Sequence, residues 1–148
     1  MATYFSQQAI DTDDGSAYYE VFDNFFVYGD NGLKSDFGGH DNKWHNNVLA
    51  FVGNCYHMWS FKGYNDAFFS NQCIFRQNYG SDCRVSTGWE VHDNQVFSAD
   101  GKLQVCGMDF NKYVAEGHDH GSTVAAWPSN SEIVAMGEKV LGMKPKTI

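Results

Sequence analysis

The sequence predicts an all-β protein built from stacked, equivalent coils of chain, and three observations predict it. One pattern occurs four times, as VFDNFFVY at 21–28, WHNNVLAF at 44–51, FFSNQCIF at 68–75 and VHDNQVFS at 91–98. Its asparagines, Asn24, Asn47, Asn71 and Asn94, stand 23, 24 and 23 residues apart. Around each asparagine the residue types repeat. Val21, Trp44, Phe68 and Val91 are apolar three positions before it, and Phe26, Leu49, Cys73 and Val96 are apolar two positions after it. Asp23, Asn46, Ser70 and Asp93 are small and polar between them. A fixed period of this length is the signature of a stacked repeat.

Each copy reads as strand, tight corner, strand, because β-branched and aromatic residues flank a cluster of Asn, Asp and Ser. Asn tolerates the left-handed backbone that a sharp corner demands. Asn side chains lying one over another can also hydrogen-bond along the column and fix the register between coils. The period is shorter than the roughly 30 residues of a βαβ unit and lacks helical apolar spacing. A leucine-rich repeat needs regular Leu, and the chain has only Leu33, Leu49, Leu103 and Leu141. What remains is a parallel β-helix of about four coils with three short strands each. At this level the chain resembles the right-handed, pectin-lyase-like parallel β-helix superfamily over about residues 2–110. That superfamily is rich in enzymes and binding proteins for polysaccharides. The resemblance implies a right-handed coil, a ligand groove on the outer face of one parallel sheet, and secretion to the extracellular space.

Taken in order, residues 1–110 hold the coils and residues 111–148 a C-terminal loop and capping helix of the same domain. Counting back one coil from Asn24 reaches Met1, so the chain is expected to start in mid-coil. It then reads as the C-terminal part of a longer β-helix, or as a unit that pairs with another copy through that end. Asp11, Asp13 and Asp14 crowd together before Gly15. A short strand is expected around Lys34–Phe37, then a turn at 39–41. The pattern is expected to stop after Asp109, with 117–123 as a loop. Ser129 and Glu132 form a capping box, and 131–141 is expected to be a helix that closes the C-terminal end together with Trp127; this ending is similar to the tails of uncharacterised right-handed β-helix proteins.

One domain fits the 148 residues, and an aromatic content of 16% suits wide coils with stacked interior rings. A net charge of −8 argues against nucleic acid and anionic membrane surfaces. There is no apolar run long enough to span a membrane, and residues 1–4 lack the basic start and apolar core of a signal peptide. Cys83 and Cys106 both fall twelve residues after their asparagine. Stacking would bring them to about 4.8 Å, within disulfide reach; a column of free buried thiols is the other reading. Cys73 is expected to pack as a small hydrophobe, and Cys55 has no obvious mate.

Candidate chemistry lies on the strand holding Lys34, Ser35 and Asp36. Asp13 stands 23 residues before Asp36, so their carboxylates could sit about 5 Å apart in neighbouring coils. Such a pair splits its pKa values and suits acid/base cleavage of a glycosidic bond. Two registers are open. A step of 24 from Phe37 to Phe61, on to Val85 and then Met108, turns that apolar column inward. It leaves Asp36, Ser60 and Arg84 outside, with Lys34 beside Met58 and Asp82. Lys34, Asp36 and Arg84 would then suit lyase chemistry on a uronate. A step of 23 from Asp36 to Trp59 spoils that site. His57, Asp14 and Ser60 complete the candidate substrate-binding set.

Plainer readings stand beside these. Residues 13–16 are a turn signal, or the Asp triplet holds Ca²⁺, although its spacing matches no EF-hand loop; no other cofactor is implied. His118 and His120 with Asp119 look like a metal-ligand set or a solvated loop. His45 and His92 recur two residues before their asparagine and are expected to point outward. Two functions follow: a domain that binds or cleaves a polysaccharide as glycoside hydrolase or lyase, or a non-catalytic structural or assembly module at the end of a longer solenoid.

Overall fold

The structure, a computed structural model, describes residues 9, 10, 12, 14–35, 37–58, 63, 65–80 and 89–144. Among these the protein is mostly β, with parallel sheets. Strands β1 (Glu20–Phe22), β3 (Lys43–His45), β5 (Ala67–Phe69) and β7 (Glu90–His92) form one sheet in that order. Strands β2 (Phe25–Ser35), β4 (Val48–Met58), β6 (Gln72–Asn78), β8 (Gln95–Ser98) and β11 (Thr123–Ala126) form a second. All pairings in both sheets are parallel. Val21 lies beside Trp44, Trp44 beside Phe68, and Phe68 beside Val91, so the sequence period is the register of the sheet.

The corner between the sheets repeats in detail. Asp23, Asn46, Ser70 and Asp93 have φ of 56, 55, 54 and 55°, the left-handed region that small polar residues tolerate. The ladder asparagines follow. Asn47 Oδ1 accepts the Asn24 backbone N–H at 3.1 Å, Asn71 Oδ1 accepts that of Asn47 at 3.0 Å, and Asn94 Oδ1 accepts that of Asn71 at 3.0 Å. Each amide nitrogen reaches back to a strand carbonyl: Asn47 to Val21, Asn71 to Trp44 and Asn94 to Phe68. Buried polar groups are thereby satisfied in pairs along the stack. The apolar positions on either side point inward, where Trp44, Leu49, Phe68, Cys73 and Val96 share one core with Val52, Cys55, Tyr56 and Phe110.

Two further columns run beside the first. Asn42 Oδ1 accepts the Tyr19 N–H at 3.1 Å, and Asp66 Oδ1 accepts the Asn42 N–H at 2.9 Å. Asn54 Nδ2 donates to Asn31 Oδ1 at 2.8 Å, and Asn78 pairs with Asn54 in the next strand.

Several expectations are corrected. The stacking does not stop at Asp109. A short hairpin, β9 (Gln104–Val105) with β10 (Met108–Asp109), and helix α1 (Phe110–Ala115) intervene, and β11 then pairs with β8, with Thr123 beside Gln95 and Val124 beside Val96. Residues 122 and 123 therefore belong to a further rung rather than a loop. The C-terminal helix α2 (Asn130–Val140) has the expected capping box, but it lies along the flank. Ile133 packs with Ala50 and Ile74 on the outer face of the second sheet, between Phe25, Phe51 and Phe97. That face is apolar and needs a cover, which the helix supplies.

The register of β2 on β4 is a step of 23: Leu33 pairs with Tyr56, Lys34 with His57 and Ser35 with Met58. Leu33, Ser35, Tyr56 and Met58 are buried, so Lys34 faces His57 and not Met58. Phe37, expected inside, is 68% exposed in a turn with φ 43°. Of the two registers left open by the sequence, the described part of this strand pair takes the step of 23, and a one-residue difference exchanges the two faces of a strand. Phe61 and Val85 of the 24-residue column lie outside the described residues. Cys73 is not a free hydrophobe: it is bonded to Cys55 across the interior, with Cα atoms 6.0 Å apart. Cys106 is disulfide-bonded, and its expected mate Cys83 lies outside the described residues.

Candidate functional site

The corner residues that precede the ladder asparagines form the floor of a groove of about 420 Å³. Asp23, Asn46, Ser70 and Asp93 come from four successive rungs and line it together. One wall carries Gln72 and Gln95, whose side chains are hydrogen-bonded at 2.7 Å. The other wall is α2, which contributes Met136, Lys139 and Val140. The helix sits close because Gly137 packs against the Phe25 ring, where a Cβ would collide. The groove thus offers a carboxylate, an amide, a hydroxyl and a second carboxylate at the inter-strand step of about 4.8 Å.

A column of stacked rings runs beside this floor, one residue earlier in each rung. Centroids are 5.3 Å apart for Phe22 and His45, 4.9 Å for His45 and Phe69, 5.0 Å for Phe69 and His92, and 4.9 Å for His92 and His120. The ring planes agree within 2 to 11°. Faces are consumed by neighbours, so the column presents ring edges to solvent, and the imidazole edges are polar. His45 Nε2 lies 3.0 Å from Glu20 Oε1, and His92 Nδ1 lies 2.8 Å from Asp93 Oδ2. Sequence reasoning placed His45 and His92 outward but missed the column. Its last member, His120, stands two residues before Ser122, and that signal is visible only when Ser122 is counted as a ladder position.

A second cleft of about 360 Å³ lies at the last rung, between Trp89, Glu90 and His92 on one side and Tyr113, His118 and His120 on the other. Asp119 also lines it and is largely buried. Burial pushes its carboxyl up from the usual range, while the Ser122 hydroxyl and the nearby Tyr79 and Asn94 side chains act against that shift. Ser122 Oγ donates to Asp119 Oδ1 at 2.5 Å, and Oδ2 is buried without a partner. His118 stacks on Tyr113 at 4.6 Å. It does not join His120 as the sequence pairing suggested; His120 stacks on His92 instead.

The sequence-predicted catalytic groove is represented by Lys34 and His57, neighbours on adjacent strands. Asp14 is exposed in the Asp14–Gly15 turn, as a turn signal would place it. Asp13, Asp36, Ser60 and Arg84 lie outside the described residues, as does Asp11. Among the described residues no helix is long and apolar enough to cross a membrane. Comparison of the chain with protein-family models, curated proteins and solved structures found no match.

Proposed function

We propose that the chain is a right-handed parallel β-helix, similar to the pectin-lyase-like superfamily, whose corner groove binds an extended polysaccharide. The right hand is the one that parallel crossovers adopt almost without exception. The observation that carries the binding reading is the alignment of Asp23, Asn46, Ser70 and Asp93 in one groove. An extended glycan offers hydroxyls at a step close to one rung, so successive sugars would meet successive corner residues. Hydroxyls both donate and accept, which suits a floor of mixed carboxylate, amide and alcohol groups.

Charge narrows the ligand. Asp23 and Asp93 outnumber Lys139 in the groove, and the chain as a whole carries −8, so a uronate polymer would be repelled. A neutral glycan fits better than pectin or alginate. Spacing favours binding over cleavage in this groove. Asp23 and Asp93 are three rungs apart, about 14 Å at the inter-strand step, beyond the roughly 5 to 9.5 Å of catalytic carboxylate pairs in glycosidases. The buried Cys55–Cys73 disulfide supports an extracellular setting.

The test is binding of the intact chain to a panel of neutral and anionic glycans, with Asn46→Ala combined with Gln72→Ala as the groove variant. Retention of a neutral polymer, weakened at least tenfold in the folded variant, is expected. A folded protein that retains no polymer overturns the reading and leaves the structural or assembly module in its place.

A further inference from the structure

The column of rings is not uniform. Within it an imidazole stacks on a phenyl ring at His45 with Phe22, at His45 with Phe69 and at His92 with Phe69. Only at its C-terminal end do two imidazoles meet, His92 on His120. The neighbouring corner residue is Asp93, and one donor atom from each of His92, Asp93 and His120 lies within 4.8 Å of the other two. We propose that these three side chains bind a divalent first-row transition-metal ion, with Zn²⁺ as the reference case. The site shares Asp93 with the groove, but metal binding does not require that the groove take a glycan.

Local structure converges on it. The Asp93 N–H donates to the His120 carbonyl at 2.9 Å, which locks the two rungs together. The residue stacked on Asp93 is Gly121, with φ 75°, and a Cβ there would collide with Asp93 Oδ1. The carboxylate occupies a space that only glycine leaves open, and it leans along the stack toward the His120 rung. Asp93 and His120 are exposed and His92 is half-buried, so an ion could arrive from solvent and keep water ligands.

The donor set selects the metal. Two imidazoles and one carboxylate suit Zn²⁺ and its first-row neighbours, whereas Ca²⁺ and Mg²⁺ prefer oxygen ligands alone. Bonds near 2.1 Å to a tetrahedral ion would bring donors to about 3.4 Å from one another. The donors now lie within 4.8 Å of one another, so an ion would draw them closer together. His118, held against Tyr113, is not part of the set.

Titration of the untagged, metal-free full chain with Co²⁺, read by its ligand-field absorption, and with Zn²⁺ in competition tests the site. One equivalent is expected, with the imidazole NMR signals of His92 and His120 shifting together. His120→Ala and His92→Ala should each weaken binding at least tenfold, and His118→Ala should leave it unchanged. His120 is exposed, so its variant should unfold at the parent temperature, which separates lost ligation from lost fold. Stoichiometric binding that survives His120→Ala, binding lost in His118→Ala, or no binding at millimolar metal would each overturn the assignment.

Discussion

The Ser122 hydroxyl oxygen accepts the backbone N–H of Asn94 at 2.7 Å, the position that an asparagine amide oxygen holds at each earlier rung. Ser122 therefore ends the ladder. It is short enough to donate in turn to Asp119, so the last rung ties the column to a buried carboxylate instead of to a further asparagine.

Interior and terminal rungs should differ in worth. Asn71 accepts two bonds from Asn47 and donates to the Trp44 carbonyl, all buried. Asn71→Ala orphans the buried Asn47 N–H, at about 1–3 kcal/mol, and removes one bond from the Trp44 carbonyl, so a loss of roughly 2–3 kcal/mol is expected in urea unfolding. Asn24 stands at the half-exposed end, where water replaces what is lost, and Asn24→Ala should cost about 1 kcal/mol or less. Equal losses at the two sites would show that the amides do not act through burial.

The Cys55–Cys73 bond closes a loop with a sequence separation of 18. A loop of that size is stabilised by about 3 kcal/mol through restriction of the unfolded chain. Replacing both by Ala should lower the unfolding free energy by that order, with the fold retained. Peptide mapping without reduction should recover residues 55 and 73 in one linked fragment; separate fragments would contradict the pairing.

Gly137 should invert an ordinary rule. An Ala for Gly exchange inside a helix normally gains about 1 kcal/mol. Here the new methyl would enter the Phe25 ring, and α2 must lift from the sheet or Phe25 must leave its place over Ala50 and Ile74. Gly137→Ala is expected to destabilise by about 1–3 kcal/mol and to raise proteolysis within 130–140. A more stable variant would mean that α2 does not pack as described.

Much of the sheet architecture is legible because each corner needs both a left-handed residue and an amide, and few residue types satisfy that pair of demands. Asn31, Asn54 and Asn78 carry a further 23- and 24-residue spacing that was there to be read. Other features were hidden for physical reasons. The hairpin β9–β10 and α1 stretch the last interval to 28 residues, so Ser122 and His120 fall out of period. The Asn42 column begins at Tyr19, which joins it through a backbone N–H and so leaves no side-chain signature. One period beyond Asp66 stands Trp89, which has no amide to continue the pattern. The Cys55–Cys73 bond joins different positions of two rungs, and a search for stacked equivalents cannot find it. The outward apolar residues Ala50, Ile74 and Phe97, which the helix covers, went unread in the sequence, and the helix pattern alone did not say where it docks.

Asp66 occupies an asparagine's place in the second column, and correcting it should stabilise the protein. Its Oδ1 accepts the Asn42 N–H as a ladder amide would, but Oδ2 is buried without a partner. Each ladder amide donates to the carbonyl three residues before its predecessor in the column: Asn42 to Ser16, Asn47 to Val21, Asn71 to Trp44 and Asn94 to Phe68. The same position for Asp66, three residues before Asn42, is the Gly39 carbonyl. Asp66→Asn supplies the missing donor and removes a buried charge, and a gain of about 1–2 kcal/mol is expected at pH 7. Burial pushes the Asp66 carboxyl up, more than its bonds with Asn42 and Ser35 pull it down. A carboxyl raised in the folded state contributes stability that is fully present below its unfolded value and is lost as pH rises through the folded value. The advantage of the variant should therefore shrink on acidification toward the usual carboxylate range and grow toward neutrality. Paired urea titrations at pH 4 and pH 7 measure this; a variant less stable than the parent at pH 7 would remove Asp66 from the ladder.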